Sequence, residues 1–114
     1  MSRSILEYLD HILVETDFLL KEAENLHFDD FIEDDVLIRA FVRSLEIIGE
    51  ATKNIPPIIR DKYPGIEWRK MAGMRDKLIH TYFGVDYEIV WTALQQGIPS
   101  LNRQIKTIIQ DLEE

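Results

Sequence analysis

Ile5, Leu9, Ile12, Thr16, Leu19 and Ala23 recur at steps that keep them on one face of an α-helix. The pattern predicts a helix over residues 4–25, with Ser4 as N-cap and Glu7 completing a capping box. A second helix is predicted from the acidic run Asp29, Asp30, Glu33, Asp34 and Asp35 to about Asn54. Carboxylates in the first turns suit the positive end of the helix dipole; a divalent-metal site is the competing reading of that run. Pro56-Pro57 stops this helix, a short helical turn follows from Ile58 to Lys62, and Pro64-Gly65 is a turn. A third helix is predicted from Glu67 to about His80. A fourth starts at an Asp86 N-cap and carries Tyr87, Val90, Trp91 and Leu94. A last one runs from Pro99 to Leu112, with Gly97 and Pro99 as punctuation. No stretch reads as a strand. The expected fold is all-α, an up-and-down bundle of four to five helices, with residues 1–114 as one domain.

Two of these helices do not have the pattern of a simple bundle. On the second, Arg39, Arg43, Glu46, Glu50 and Lys53 fall in a stripe roughly 80° wide at 100° per residue. Apolar residues cover most of the remainder, the reverse of an ordinary surface helix. The helix is therefore expected to be central, covered by its own bundle on one side and by a second copy or partner on another. The polar stripe is either a solvent face or the lining of a groove beside a functional site, with Arg43, Glu46 and Glu50 as lining residues.

On the third helix, Trp68, Met71, Ala72, Leu78, Ile79 and Phe83 share an apolar face that has Arg75 in its middle, with Tyr82 nearly in line. A guanidinium there needs a carboxylate, carbonyl or phosphate, since it does not readily lose its proton. A structural ion pair with Glu46 or Glu50 is one solution and a bound phosphate the other. Asp76 and His80, four apart, share a different face, where the carboxylate can orient the imidazole and favour its protonated form. Arg75 and His80 are about 140° apart on a regular helix. Helix distortion, long reach or a dimer two-fold is required for them to meet.

Composition narrows the chemistry. The chain has 114 residues, no cysteine and a formal net charge of -8. Disulfides, thiolate metal sites and cysteine nucleophiles are excluded, and a cytoplasmic location is expected. No apolar run is long enough for a membrane span, and the N-terminus has no signal-peptide core. His11, His27 and His80 lack metal-ligand spacing, so no metal is expected. Nucleic-acid affinity comes largely from Lys and Arg displacing counterions. A chain this acidic must confine RNA contact to a local basic patch or rely on a partner.

Arg75, His80 and Tyr82 form an R-x4-H-x-Y pattern, and with their context they resemble the HepT-like proteins of the HEPN superfamily. The context is Ser44-Leu45-Glu46-Ile47-Ile48-Gly49-Glu50-Ala51, Trp68 to Arg75, and Tyr82-Phe83-Gly84-Val85-Asp86 with Trp91, and the resemblance spans about residues 5 to 112. Thr81 stands where glycine is frequent, at a variable position. The resemblance implies a HEPN-like bundle that forms a homodimer with the motifs near a shared cleft. It implies a toxin of a type II toxin–antitoxin pair, a metal-independent endoribonuclease without cofactor, acting on RNA and not DNA. It implies an MntA-type nucleotidyltransferase antitoxin as partner, able to transfer AMP to Tyr82. In that chemistry His80 is the general acid–base, Arg75 clamps phosphate, Asp76 orients, and Tyr82 contacts substrate or carries the AMP. The competing reading is a non-catalytic accessory subunit that binds nucleotide or substrate for a nucleotidyltransferase. The acidic charge favours that reading; the intact Arg75, His80 and Tyr82 set favours the ribonuclease.

Overall fold

A computed structural model gives the structure of residues 3–79 and 86–114, leaving aside the side chains of Arg3, Ser4, Arg75 and Ile79. All regular structure among these residues is helical: α1 (Arg3–Ala23), α2 (Phe28–Phe31), α3 (Asp35–Lys53), α4 (Pro57–Lys62), α5 (Trp68–Ala72), α6 (Met74–Ile79), α7 (Tyr87–Thr92), a π-helical segment (Ala93–Gly97) and α8 (Ile98–Glu113). None of the described helices is long and apolar enough to cross a membrane. The result is an all-α bundle whose main rods are α1, α3, α5–α6 and α7–π–α8.

The period read from α1 is its packing face. Leu9, Ile12, Thr16 and Leu19 are wholly buried, while Ile5 and Ala23 pack at its ends. Ser4 is not the cap, because the helix already begins at Arg3. At the other end, Asn25 takes a left-handed conformation (φ 63°), which asparagine tolerates better than most residues, and the chain turns there.

The acidic run opens two helices rather than one. Asp29 and Asp30 lie in the first turn of α2. Asp34 then takes an extended conformation and accepts from the Leu37 N–H at 3.0 Å, capping α3. The short α2 places Phe31 in the core, its ring 5.6 Å from both Phe41 of α3 and Trp91 of α7. At its far end α3 is closed by Arg60, which donates from Nε to Ile55 O (2.9 Å) and from Nη2 to Thr52 O (2.7 Å).

α3 packs against α1, α5 and α6, and α1 packs against α3 and α8. These interfaces contain buried polar groups with partners. Ser44 donates to Glu15 Oε1 at 2.8 Å, tying α3 to α1. Asn102 of α8 donates to Thr16 Oγ1 (2.9 Å) and Asp17 Oδ1 (2.8 Å) of α1.

The predicted third helix is broken at Gly73, so a wheel drawn through Glu67–His80 as one regular helix does not hold. Gly73 N–H donates to Arg69 O (2.9 Å) and Lys77 N–H to Gly73 O (3.2 Å), so the two halves stay roughly in line. Among the described side chains of this stretch Trp68, Met71, Met74 and Leu78 are buried; Met74 is not on the face read from the sequence, and Ala72 is only half-buried. Gly97 and Pro99 do not separate two helices either. α7, the π segment and α8 follow one another without a turn, and Ile98 N–H reaches back five residues to Ala93 O. A proline inside a helix lacks its N–H and crowds the carbonyl four residues back. The wider π turn just ahead of Pro99 relieves that conflict. Asp86 does cap α7, accepting from the Ile89 N–H at 3.1 Å.

Candidate active site

The motif begins on α6. Position 75 lies on its first turn, held against α3 and α5. Asp76 is exposed. His80 and Tyr82, with Thr81 and Phe83, lie outside the described residues.

Of the polar stripe of α3, Arg39 and Lys53 do not line the groove beside α1. Arg43, Glu46 and Glu50 border a cavity of about 410 Å³ between α3 and α1, together with Tyr8 and His11. Arg43 and Glu50 are exposed and Glu46 is half-buried. Glu50 also faces Lys53 Nζ at 3.7 Å, a surface pair of small energetic worth. Asp76 is not part of this groove. Two carboxylates against one guanidinium make it acceptor-rich, better suited to a cationic side chain than to a phosphate. The sequence pattern does not single out Tyr8, and it raises His11 only as a metal ligand. They are three apart on α1, on the flank of its buried face, and that i, i+3 relation was the available signal.

A second groove, about 460 Å³, lies between α5–α6 and the α7–π–α8 rod, with Lys70 and Lys77 on its edge. In the sequence Lys77 precedes His80 by three residues and Asp86 follows Tyr82 by four. Among the described residues no three His, Asp or Glu side chains are grouped to hold a metal ion.

The model of the Ribonuclease HepT-like family matches residues 5–108. The chain belongs to the HepT-like ribonuclease family. It is 54% identical over 103 residues to an RNase-named protein, TTE0752, of Caldanaerobacter subterraneus subsp. tengcongensis, covering 90% of this chain and 92% of that one. It is 45% identical over 112 residues to the RNase-named MJ0125 of Methanocaldococcus jannaschii, covering 98% and 97%. It is 43% identical over 108 residues to the "Probable ribonuclease HepT" of Thermococcus cleftensis, covering 95% and 98%. No solved structure matches the chain. The HepT-like assignment thus rests on sequence over nearly the whole chain, and the helical bundle agrees with it.

Proposed function

We propose that this HepT-like chain is a metal-independent endoribonuclease and the toxin of a type II toxin–antitoxin pair. The observation that carries the reading is family membership over residues 5–108 with Arg75, Asp76, His80 and Tyr82 all present in the segment that starts on α6. His80 takes the proton from a ribose 2′-OH, whose oxygen attacks the adjacent phosphorus; the P–O5′ bond breaks and the leaving 5′-oxygen takes a proton from water. General acid–base catalysis of this kind contributes roughly 10²–10⁴ in rate. Arg75 stabilises the charged phosphorane through its fork of donors. Asp76 holds the imidazole in register.

The working form is a homodimer in which two motifs share a cleft, each chain being one HEPN-like domain in the cytoplasm. The acceptor-rich groove on α3 is a docking place for cations brought by the second motif. An MntA-type nucleotidyltransferase neutralises the toxin by adding AMP to Tyr82, which sets bulk and negative charge beside Arg75. The net charge of -8 supports a second reading, a non-catalytic accessory subunit that binds nucleotide or substrate for that nucleotidyltransferase. Expression of the chain alone in a bacterial host separates the two. Growth arrest with RNA breakdown, both lost in His80→Ala and Arg75→Ala, supports the toxin. Harmless wild-type chain, intact RNA and a partner activity that needs this chain support the accessory role.

A further inference from the structure

The groove between α5–α6 and α7–π–α8 measures about 460 Å³, within the ~300–1,000 Å³ of small-molecule sites. Its floor is apolar, with Met71, Met74, Ala93 and Leu101 buried there. Its far wall carries uncharged donors and acceptors, Thr92, Gln96 and Gln104. Gln104 is oriented by donating from Nε2 to Ser100 Oγ at 2.9 Å. On the near edge stand Lys70 of α5 and Lys77 of α6, on either side of the break at Gly73. Gly73 lies between them and has no Cβ, so the ridge dips between the two ammonium groups. Both lysines also border a shallower cleft on the ridge's other flank, with Trp68 and Arg69.

These features match the parts of one nucleotide: flat apolar faces, an edge of donors and acceptors, and phosphates on either side. Met sulfur packs favourably on aromatic rings. The cations are concentrated on the lysine ridge rather than in the groove as a whole, whose lining holds two lysines and three carboxylates. Residues 60–77 hold six of the chain's 13 Lys and Arg but three of its 21 Asp and Glu, so the ridge lies in a cationic stretch of an acidic protein. Three carboxylates also reach the groove. Glu67 lies 3.8 Å from Lys70 in an exposed pair, Asp86 is engaged as the α7 cap, and Glu88 is exposed.

We infer that this groove is a base-recognition subsite: one unpaired RNA base lies on the methionine floor, Gln96 and Gln104 meet its edge, and the flanking phosphates sit on Lys70 and Lys77. The inference rests on the ribonuclease reading for its RNA, and on the groove alone for its place. Proteins that read RNA commonly capture unstacked bases in this way.

The test measures binding of a short, unstructured, fluorescein-labelled RNA to the full chain carrying His80→Ala, with a ribose-phosphate oligomer lacking all bases as second probe. The double variant Lys70→Glu/Lys77→Glu weakens both probes by about tenfold or more, well beyond the charge-matched control Lys21→Glu/Lys106→Glu, at exposed positions outside the groove. Thr92→Trp, which fills the groove from its exposed rim, weakens only the base-bearing RNA, by about fivefold or more. Gln96→Trp replaces it if that variant fails to fold. Unchanged RNA affinity in the tryptophan variant, a charge-reversal loss no larger than that of Lys21→Glu/Lys106→Glu, or no RNA binding by the His80→Ala chain overturns the subsite. A chain that binds RNA through the groove but never cuts it overturns the ribonuclease reading instead. A chain that cuts RNA at unchanged kcat/KM with the groove filled overturns the subsite alone.

Discussion

Asn102 of α8 donates a hydrogen bond of 2.9 Å to Thr16 of α1, and both residues are buried. The same amide reaches Asp17 at 2.8 Å, and Thr16 itself donates to Leu13 O at 3.1 Å. No apolar side chain substitutes for this bridge, because Thr16 sits in the middle of the α1 core face. Asn102→Ala removes two hydrogen bonds and leaves a gap at the α1–α8 seam. The expected cost is about 2 kcal/mol, read from urea unfolding monitored by circular dichroism.

Phe31→Ala tests the role of α2. The ring is wholly buried against Phe41 and Trp91, so its loss opens a cavity where three elements meet. A loss of about 3–5 kcal/mol is expected, against no more than about 0.5 kcal/mol for a substitution at exposed Asp30. Equal losses at the two positions would remove α2 from the core.

Tyr63 donates to Asp111 Oδ2 at 2.6 Å, joining the chain after α4 to the end of α8. That bond, with some burial and the carboxylate's charge, pushes the phenol up to about 12 from 10.0. The folded value lies above the unfolded one. The bond therefore contributes its full stability below pH about 10 and loses it as pH rises toward 12. Ultraviolet titration is expected to show late ionisation of Tyr63 that moves back toward 10 in Asp111→Ala.

Arg75→Lys is expected to be nearly as inactive as Arg75→Ala, a loss of about 10²-fold in cleavage, because an ammonium lacks the planar fork that meets a phosphate. Comparison of kcat with near-wild-type RNA affinity checks this. Full activity in Arg75→Lys would reduce the residue to a point charge or a structural ion pair.

Much of the fold was legible because local rules and packing agree. Leu9, Ile12, Thr16 and Leu19 repeat with the helical period and are the residues α1 buries. Asp86 has the residue type and position of a cap and acts as one. Elsewhere competing signals had to be settled by three-dimensional contacts. Five acidic residues stand at the start of the second predicted helix, and only the bond from Leu37 N–H identifies Asp34 as the cap. Gly97 read as a stop, yet it packs so closely that a Cβ there would lie 3.2 Å from Met71 Cε. The groove on α3 was legible as a polar stripe, but its other wall, Tyr8 and His11, depended on how α1 lies across it. The pairing of Lys70 and Lys77 over an apolar floor depended likewise on where the α7–π–α8 rod falls.

The most direct measurement of the central claim is the chemistry of the cut. Purified chain is incubated with RNA in excess chelator, and the 3′ ends of the products are identified by mass spectrometry. The account predicts cleavage with 2′,3′-cyclic phosphate ends, abolished by His80→Ala and by a 2′-deoxy nucleotide at the cut. Intact RNA, cleavage that persists in His80→Ala, or 3′-hydroxyl ends would contradict it.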